Sequence, residues 1–398
     1  MYEISDRPMR KVQPSELILN KPLPCSVYDE HGNLLLREGY VISIPKHIND
    51  LVVRGAFTPS PPPPAPPPKP GAIEDEDKVA PPPSVPPEPS IQSVFLRAEA
   101  LAMTLKRLHA HLEAKSLQAE LSLVVRSLAH AIMQACNDDA DALLAACHLD
   151  RQHPYLVVQQ LLSTTVAEIA ARDLGMDGAT RLSLMCAALT HDIALLPVQH
   201  KLDSQNGPLD ATQQAMMRTH PYRTVEILAN MGVKDTLWLE FARQHHERMD
   251  GSGYPQGLKG NDILTGSRLL GIADSYAAMV TPRPNRHGQI PQEALKALHQ
   301  QRGSLYDEGI LLQFINTLTV YPPGTLARLA DGEIGVIRSR QKKGAPLDLW
   351  LLYDRNGMPI MRPQRCDPSA PAYAIKEILR VEECRSANVV MKRLWSQN

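Results

Sequence analysis

The sequence is short of most features that would place it outside a cell or across a membrane. Its six cysteines (Cys25, Cys136, Cys147, Cys186, Cys366, Cys384) are scattered without a CxxC pair. That excludes a zinc ribbon and reads as reduced thiols rather than a disulfide frame. No run approaches the roughly 18–20 consecutive apolar residues of a membrane span. The N-terminal MYEISDRPMRKVQPSELIL lacks the apolar core of a signal peptide. Neither sign of charge is in excess: 42 Lys plus Arg against 43 Asp plus Glu leaves a net charge of −1. Nothing global therefore attracts a nucleic acid polymer or an anionic membrane, and an anionic ligand must be held by a local cluster. Aromatics are few, with 4 Phe and 3 Trp. The expectation is a cytoplasmic protein of 398 residues, enough for two or three domains.

What is abundant is proline, and it is local. Residues 59–90 hold 15 of the 35 prolines, so 59–94 reads as an extended polyproline spacer rather than a packed element or a ligand for a proline-recognition domain. Before it, residues 1–58 read as a small β-rich domain, with a hairpin in CSVYDEHGNLLLREGYVI turning at Asp29–Asn33. After it, apolar residues recur at helical spacing. Helices are expected within 92–135, from Pro154 to Gly175, and around 179–193, 209–231, 235–248 and 262–280. They form one mainly α body over 95–320. The tail, 321–398, returns to strands, with hairpin turns at Asp331–Gly332 and Asn356–Gly357. It carries 13 Lys plus Arg against 8 Asp plus Glu, which reads as a solvated face.

The helical body contains four clusters of metal-ligand residue types: His191–Asp192, His220–Pro221, His245–His246 and Asp274. Imidazole nitrogen and carboxylate oxygen suit borderline and hard cations, and a carboxylate can bridge two of them. Neighbouring residues on a helix diverge by about 100°. One member of the His191–Asp192 pair can thus bind terminally while the other bridges. The string HHERMDGSGYP adds Glu247, Asp250, Gly251, Gly253, Tyr254 and Pro255 in eleven positions. The helix bearing the histidines is expected to stop at Asp250–Gly251. The two glycines would permit positive φ, and Pro255 would stiffen a loop presenting Tyr254 to a substrate or partner.

Together with ADSYAAMVTPRPNR, these motifs make residues 95–320 similar to the HD-GYP subfamily of HD phosphohydrolases. The resemblance implies an HD-type helical bundle that hydrolyses cyclic di-GMP to pGpG, or on to GMP, with divalent ions such as iron or manganese. Position by position it implies that His191, Asp192, His220, His245, His246 and Asp274 are ligands. Asp192 would bridge, and His191 and Asp192 would be catalytic. Arg283 and Arg286 would hold substrate phosphates, planar guanidinium forks being suited to phosphodiester oxygens. Residues 250–255 would serve a partner such as a GGDEF cyclase, and a homodimer is a further expectation.

Four positions depart from that family. Its Glu and His, four apart on the preceding helix, fall on Tyr155 and Gln159. Its HDIGK reads HDIALL, putting Ala194 and Leu195 after the pair and removing a lysine. Its second acid three residues past Asp274 is Ala277. One intact metal site, one weakened site and no third are therefore expected. The competing readings are a slow cyclic di-GMP phosphodiesterase, an impaired module that binds cyclic di-GMP or a partner, and a hydrolase of another nucleotide.

Overall fold

The computed structural model describes residues 9–12, 23, 27–28, 34–36, 57–59, 93–114, 120–205, 207–384, 391 and 394–395. The proline-rich stretch beyond Pro59 lies outside them, as does Cys25. The chain divides into two units, 1–85 and 86–398.

In the first unit β1 (Met9–Lys11), β2 (Val27–Tyr28), β3 (Leu34–Leu36) and β4 (Phe57–Pro59) form an antiparallel sheet in the order β1-β4-β2-β3. Val27 pairs with Leu36 and Tyr28 with Leu34, the partners expected of a hairpin closing across 29–33. The turn itself is not among the described residues.

The second unit is helical and then β. Its helices are α1 (Val94–Glu113), α2 (Leu121–Leu149), α3 (Tyr155–Asp173), α4 (Gly178–Thr190), α5 (Leu196–Ser204), α6 (Ala211–Asn230), α7 (Thr236–Gln244), α8 (Thr265–Val280), α9 (Pro291–Gln300) and α10 (Glu308–Leu318). Side chains of Ser93, Asp177, Asp210, Asp235 and Asp307 accept backbone N–H groups at five helix starts, satisfying donors the helix cannot. Helix α3 is the axis of the unit. Every residue from Tyr155 to Ala171 is buried, so it shows no amphipathic stripe. An 18-residue window within 178–204 has a mean hydropathy of 1.3, high enough for a membrane span, but 67% of that window is buried inside the unit. The apolarity serves the core.

Strands β5 (Leu326–Leu329), β6 (Ile334–Ser339), β7 (Asp348–Tyr353), β8 (Pro359–Cys366) and β9 (Ile375–Leu379) make an antiparallel sheet ordered β8-β7-β6-β5-β9. The turns at Asp331–Gly332 and Asn356–Gly357 join β5 to β6 and β7 to β8. Alternation along the strands divides the sheet's side chains. Leu326, Val336, Leu352 and Leu379 join the apolar core of the helices, while Ala327, Leu329, Ile337, Leu349 and Leu351 build a smaller cluster of their own. Arg340 to Asp141 (2.5 Å) and Arg151 to Glu382 (2.6 Å) tie the tail to the helices at the rim. The 95–320 body and the 321–398 tail thus share one core.

Candidate metal centre

Four segments converge on one point. His191 and Asp192 follow the end of α4, His220 lies within α6, His245 and His246 follow the end of α7, and Asp274 lies on α8. His191, His220 and His245 are fully buried and Asp274 is 7% exposed. Donor atoms of Asp192, His220, His245 and His246 lie within 4.8 Å of one another, and those of His191, His245 and Asp274 do the same. Asp192 faces both groups: its Oδ2 is 3.4 Å from His191 Nε2, and its Oδ1 is 3.1 Å from His220 Nε2 and 4.0 Å from His245 Nε2. His191 Nε2 is also 3.4 Å from Asp274 Oδ1.

Three histidines are aimed by the same device. Nδ1 donates to the carbonyl three residues back: His191 to Ala188 (2.9 Å), His220 to Met217 (2.7 Å) and His245 to Ala242 (2.7 Å). A carbonyl cannot donate, so Nδ1 carries a hydrogen, and in the neutral ring each Nε2 turns a lone pair inward. Those carbonyls are free for local reasons. Ala188 and Ala242 lie among the last four carbonyls of α4 and α7, which have no intrahelical N–H. Met217 lies four residues before Pro221, whose missing N–H would have been its partner. The His–Pro dipeptide is therefore a means of aiming an imidazole in mid-helix.

The surroundings fix this arrangement. Thr224 Oγ1 donates to the His191 carbonyl (2.9 Å), and Trp238 Nε1 donates to Thr190 Oγ1 (2.8 Å). A Cβ on Gly271 would sit 2.5 Å from the His245 carbonyl oxygen, so only glycine lets α8 approach closely enough to deliver Asp274 one turn later. The histidine helix ends at Gln244, six residues before the expected stop. The Glu247 carboxylate accepts the N–H groups of Gln256 (2.7 Å) and Leu258 (2.9 Å), holding residues 247–258 as a folded loop. Gly251 has φ 84° as expected. Gly253 is needed for closeness instead: a Cβ there would lie 2.4 Å from the Arg248 nitrogen. Tyr254 leans inward, its ring 4.6 Å from that of His246, with the Arg218 guanidinium 5.8 Å from its centroid. Asp250 is exposed and caps Ser252 N–H at 2.9 Å; Pro255 is half-buried.

The electrostatics suit a cation. Burial pushes the Asp192 carboxyl up, but the imidazoles of His191 and His220 more than offset it and hold the group below the carboxylate range. Burial would lower His191, yet Asp192 and Asp274 raise it to about 9. His245 and His246 are lowered by burial and by neighbouring imidazoles. With both Nδ1 atoms committed or crowded, His220 Nε2 and His245 Nε2 meet at 3.3 Å. Two lone pairs and a carboxylate oxygen at such distances require a shared proton or a cation between them. The donor set therefore fits divalent ions.

The departing positions are also placed. Gln159 is 2% exposed, and its Nε2 donates to Asp274 Oδ1. Tyr155 is pushed up to about 12, chiefly by burial, so it stays neutral, and its hydroxyl accepts from Arg283 Nη2 at 2.8 Å. His153 is spent on Asp150 (2.6 Å). Leu195 and Ala277 are buried apolar packing. Of the two arginines, Arg283 lies over the Tyr155 ring at 4.4 Å, whereas Arg286 is exposed and donates to the Ala278 carbonyl at 2.6 Å. Sequence reasoning missed Thr224, Trp238 and Arg218, which carry no ligand chemistry of their own.

Residues 126–310 match the family model described as an HD domain. The chain is 27% identical over 197 residues to a cyclic di-GMP phosphodiesterase of Pseudomonas aeruginosa, covering 50% of this chain and 47% of that one. It is 32% identical over 143 residues to a cyclic di-GMP phosphodiesterase response regulator of Xanthomonas campestris, covering 36% and 38%. The chain thus spans about half or less of these curated relatives. Among solved structures, an HDG"Y"P protein from Bdellovibrio bacteriovorus superposes with a TM-score of 0.50 at 16% identity, over 78% of this chain and 98% of that one; this likeness is one of fold. The helical body is an HD domain. Its HHERMDGSGYP string is similar to the motif of the HD-GYP family.

Proposed function

We propose that this chain cleaves the phosphodiester of cyclic di-GMP to pGpG, or on to GMP, using one or two divalent ions, iron or manganese. The ions would be held by His191, Asp192, His220, His245, His246 and Asp274. The observation that carries this reading is the position of Asp192, whose two oxygens face different members of the cluster. When bound, such ions supply positive charge beside a phosphodiester, offsetting the charge that builds on its oxygens during in-line displacement. The chain's own residues then orient the substrate. Arg283 uses one N–H on Tyr155, and its Nε has no hydrogen-bond partner among the described residues, leaving donors for a phosphate. Tyr254 walls the cluster on the His246 side. With Leu195 where relatives of the family carry lysine, one charge-assisted phosphate contact is missing, worth about 1.5–3 kcal/mol, so turnover is expected to be slow.

A second reading is an impaired HD-GYP module that binds cyclic di-GMP, a GGDEF-domain protein or a second copy of itself. The capture of Asp274 by Gln159 favours it. Chromatographic assay of pGpG with Mn²⁺ supplied separates the two. Product from the wild type and none from His191→Ala supports hydrolysis at this centre. No product at high enzyme concentration, with cyclic di-GMP still bound, leaves the second reading.

A further inference from the structure

Gln159 stands on the wholly buried α3 beside the cluster, and it holds a contradiction. Its Nε2 donates to Asp274 Oδ1, while its Oε1, equally buried, has no hydrogen-bond partner among the described residues. A buried amide oxygen left without a partner is an exception that needs a cause. Asp274 is the carboxylate of the group it forms with His191 and His245, so the orphan oxygen belongs to an amide that already touches one of three candidate donors.

From this we infer that the Gln159 side-chain carbonyl is a metal donor, the fourth in the half of the centre formed by His191, His245 and Asp274. The inference rests on the metal-centre reading and adds a ligand to it. The terminal amide torsion of glutamine is broad and nearly two-fold. Turning the amide over exchanges Nε2 for Oε1 with little change of shape. In the metal-free arrangement, Asp274 is an acceptor and the amide gives it an N–H. With a cation present, Asp274 is a ligand, and the oxygen that has no hydrogen to accept faces the charge instead. The resulting set is two imidazole nitrogens, one carboxylate oxygen and one neutral carbonyl oxygen. Replacing a nitrogen donor by a neutral oxygen shifts preference toward harder ions and lowers affinity. This half of the centre is accordingly the weaker one, filled by Mn²⁺ after the half built on Asp192, His220 and His246.

The test is Mn²⁺ binding to the chelator-treated full chain by equilibrium dialysis with elemental analysis, comparing wild type with Gln159→Met and Gln159→Glu. Methionine keeps the unbranched shape and removes the oxygen. Glutamate keeps an oxygen donor and removes the N–H. The wild type should bind two ions with distinct dissociation constants. Gln159→Met should weaken only the second, by tenfold or more, with the first unchanged as the check on folding. Gln159→Glu should bind the second at least as tightly as the wild type. If glutamine serves only to give Asp274 a hydrogen bond, Gln159→Glu will lose the second ion as methionine does, and the inference is overturned. It is equally overturned if Gln159→Met binds both ions like the wild type, although the metal centre then stands. A wild type that binds no Mn²⁺ removes the centre and this ligand together.

Discussion

Replacing Pro221 by alanine should make the metal-free protein more stable and its metal centre weaker. Pro221 lies inside α6, where proline costs a helix about 3 kcal/mol relative to alanine. The ring is buried, and losing its packing takes back part of that, so a net gain of about 1–2 kcal/mol is expected. For a unit of this size that is a rise of about 2–4 °C in Tm. The alanine N–H also returns a competitor for the Met217 carbonyl, the acceptor that fixes His220 Nδ1 at 2.7 Å. Outer partners of metal-binding histidines are worth roughly 10- to 100-fold in affinity. Since the carbonyl has a second lone pair, the lower end, about tenfold, is the expectation. Calorimetry of the metal-free protein and a Mn²⁺ titration read the two effects separately. A variant that melts lower and binds Mn²⁺ as tightly as the wild type would refute the reasoning in both halves.

Gly271→Ala should cost both stability, by about 1–3 kcal/mol, and Mn²⁺ affinity, because its Cβ collides with the His245 carbonyl; unchanged binding in a titration would count against the close approach of α8. Leu352→Ala, at a fully buried tail position in the helical core, should lose about 2–5 kcal/mol in a single thermal transition. Two separate transitions would show that tail and helices do not unfold together. The metal-free protein should be most stable near pH 6.5 as far as these histidines decide it. His191, raised to about 9, contributes stability that is full below 6.5 and lost as pH climbs toward 9. His245 and His246, lowered, contribute stability that is full above 6.5 and lost as pH falls. A Tm that keeps rising from pH 6.5 to 9 would contradict this.

The helices were legible because their apolar spacing and their caps are local properties. Helix α3 was found from its length and its bounding Pro154 and Gly175, although a helix buried on all sides leaves no stripe to read. The early end of the histidine helix, at 244 rather than 250, has a tertiary cause. Glu247 turns its carboxylate to two backbone N–H groups nine and eleven residues ahead, and no window of sequence displays such a closure. The six donors could be named from motifs, but the orientation of His191, His220 and His245 depends on free carbonyls. Only that at Met217 is announced in sequence, by the proline after His220. Gly253 was recognised as necessary for the wrong reason, because positive φ is a property of one residue and crowding is a property of its surroundings. Gln159 and Tyr155 were read as losses. Each has a definite partner in Asp274 and Arg283, and the sequence separations of 115 and 128 residues hide both.

The complete enclosure of α3 has a bearing on how this molecule comes apart. Amide hydrogens along Tyr155–Ala171 have no route to solvent through local fraying, so their exchange with deuterium must await opening of the entire second unit. Loss of any ion held at the centre should loosen the turns after α4 and α7 first, while the enclosed α3 continues to carry the floor beneath them.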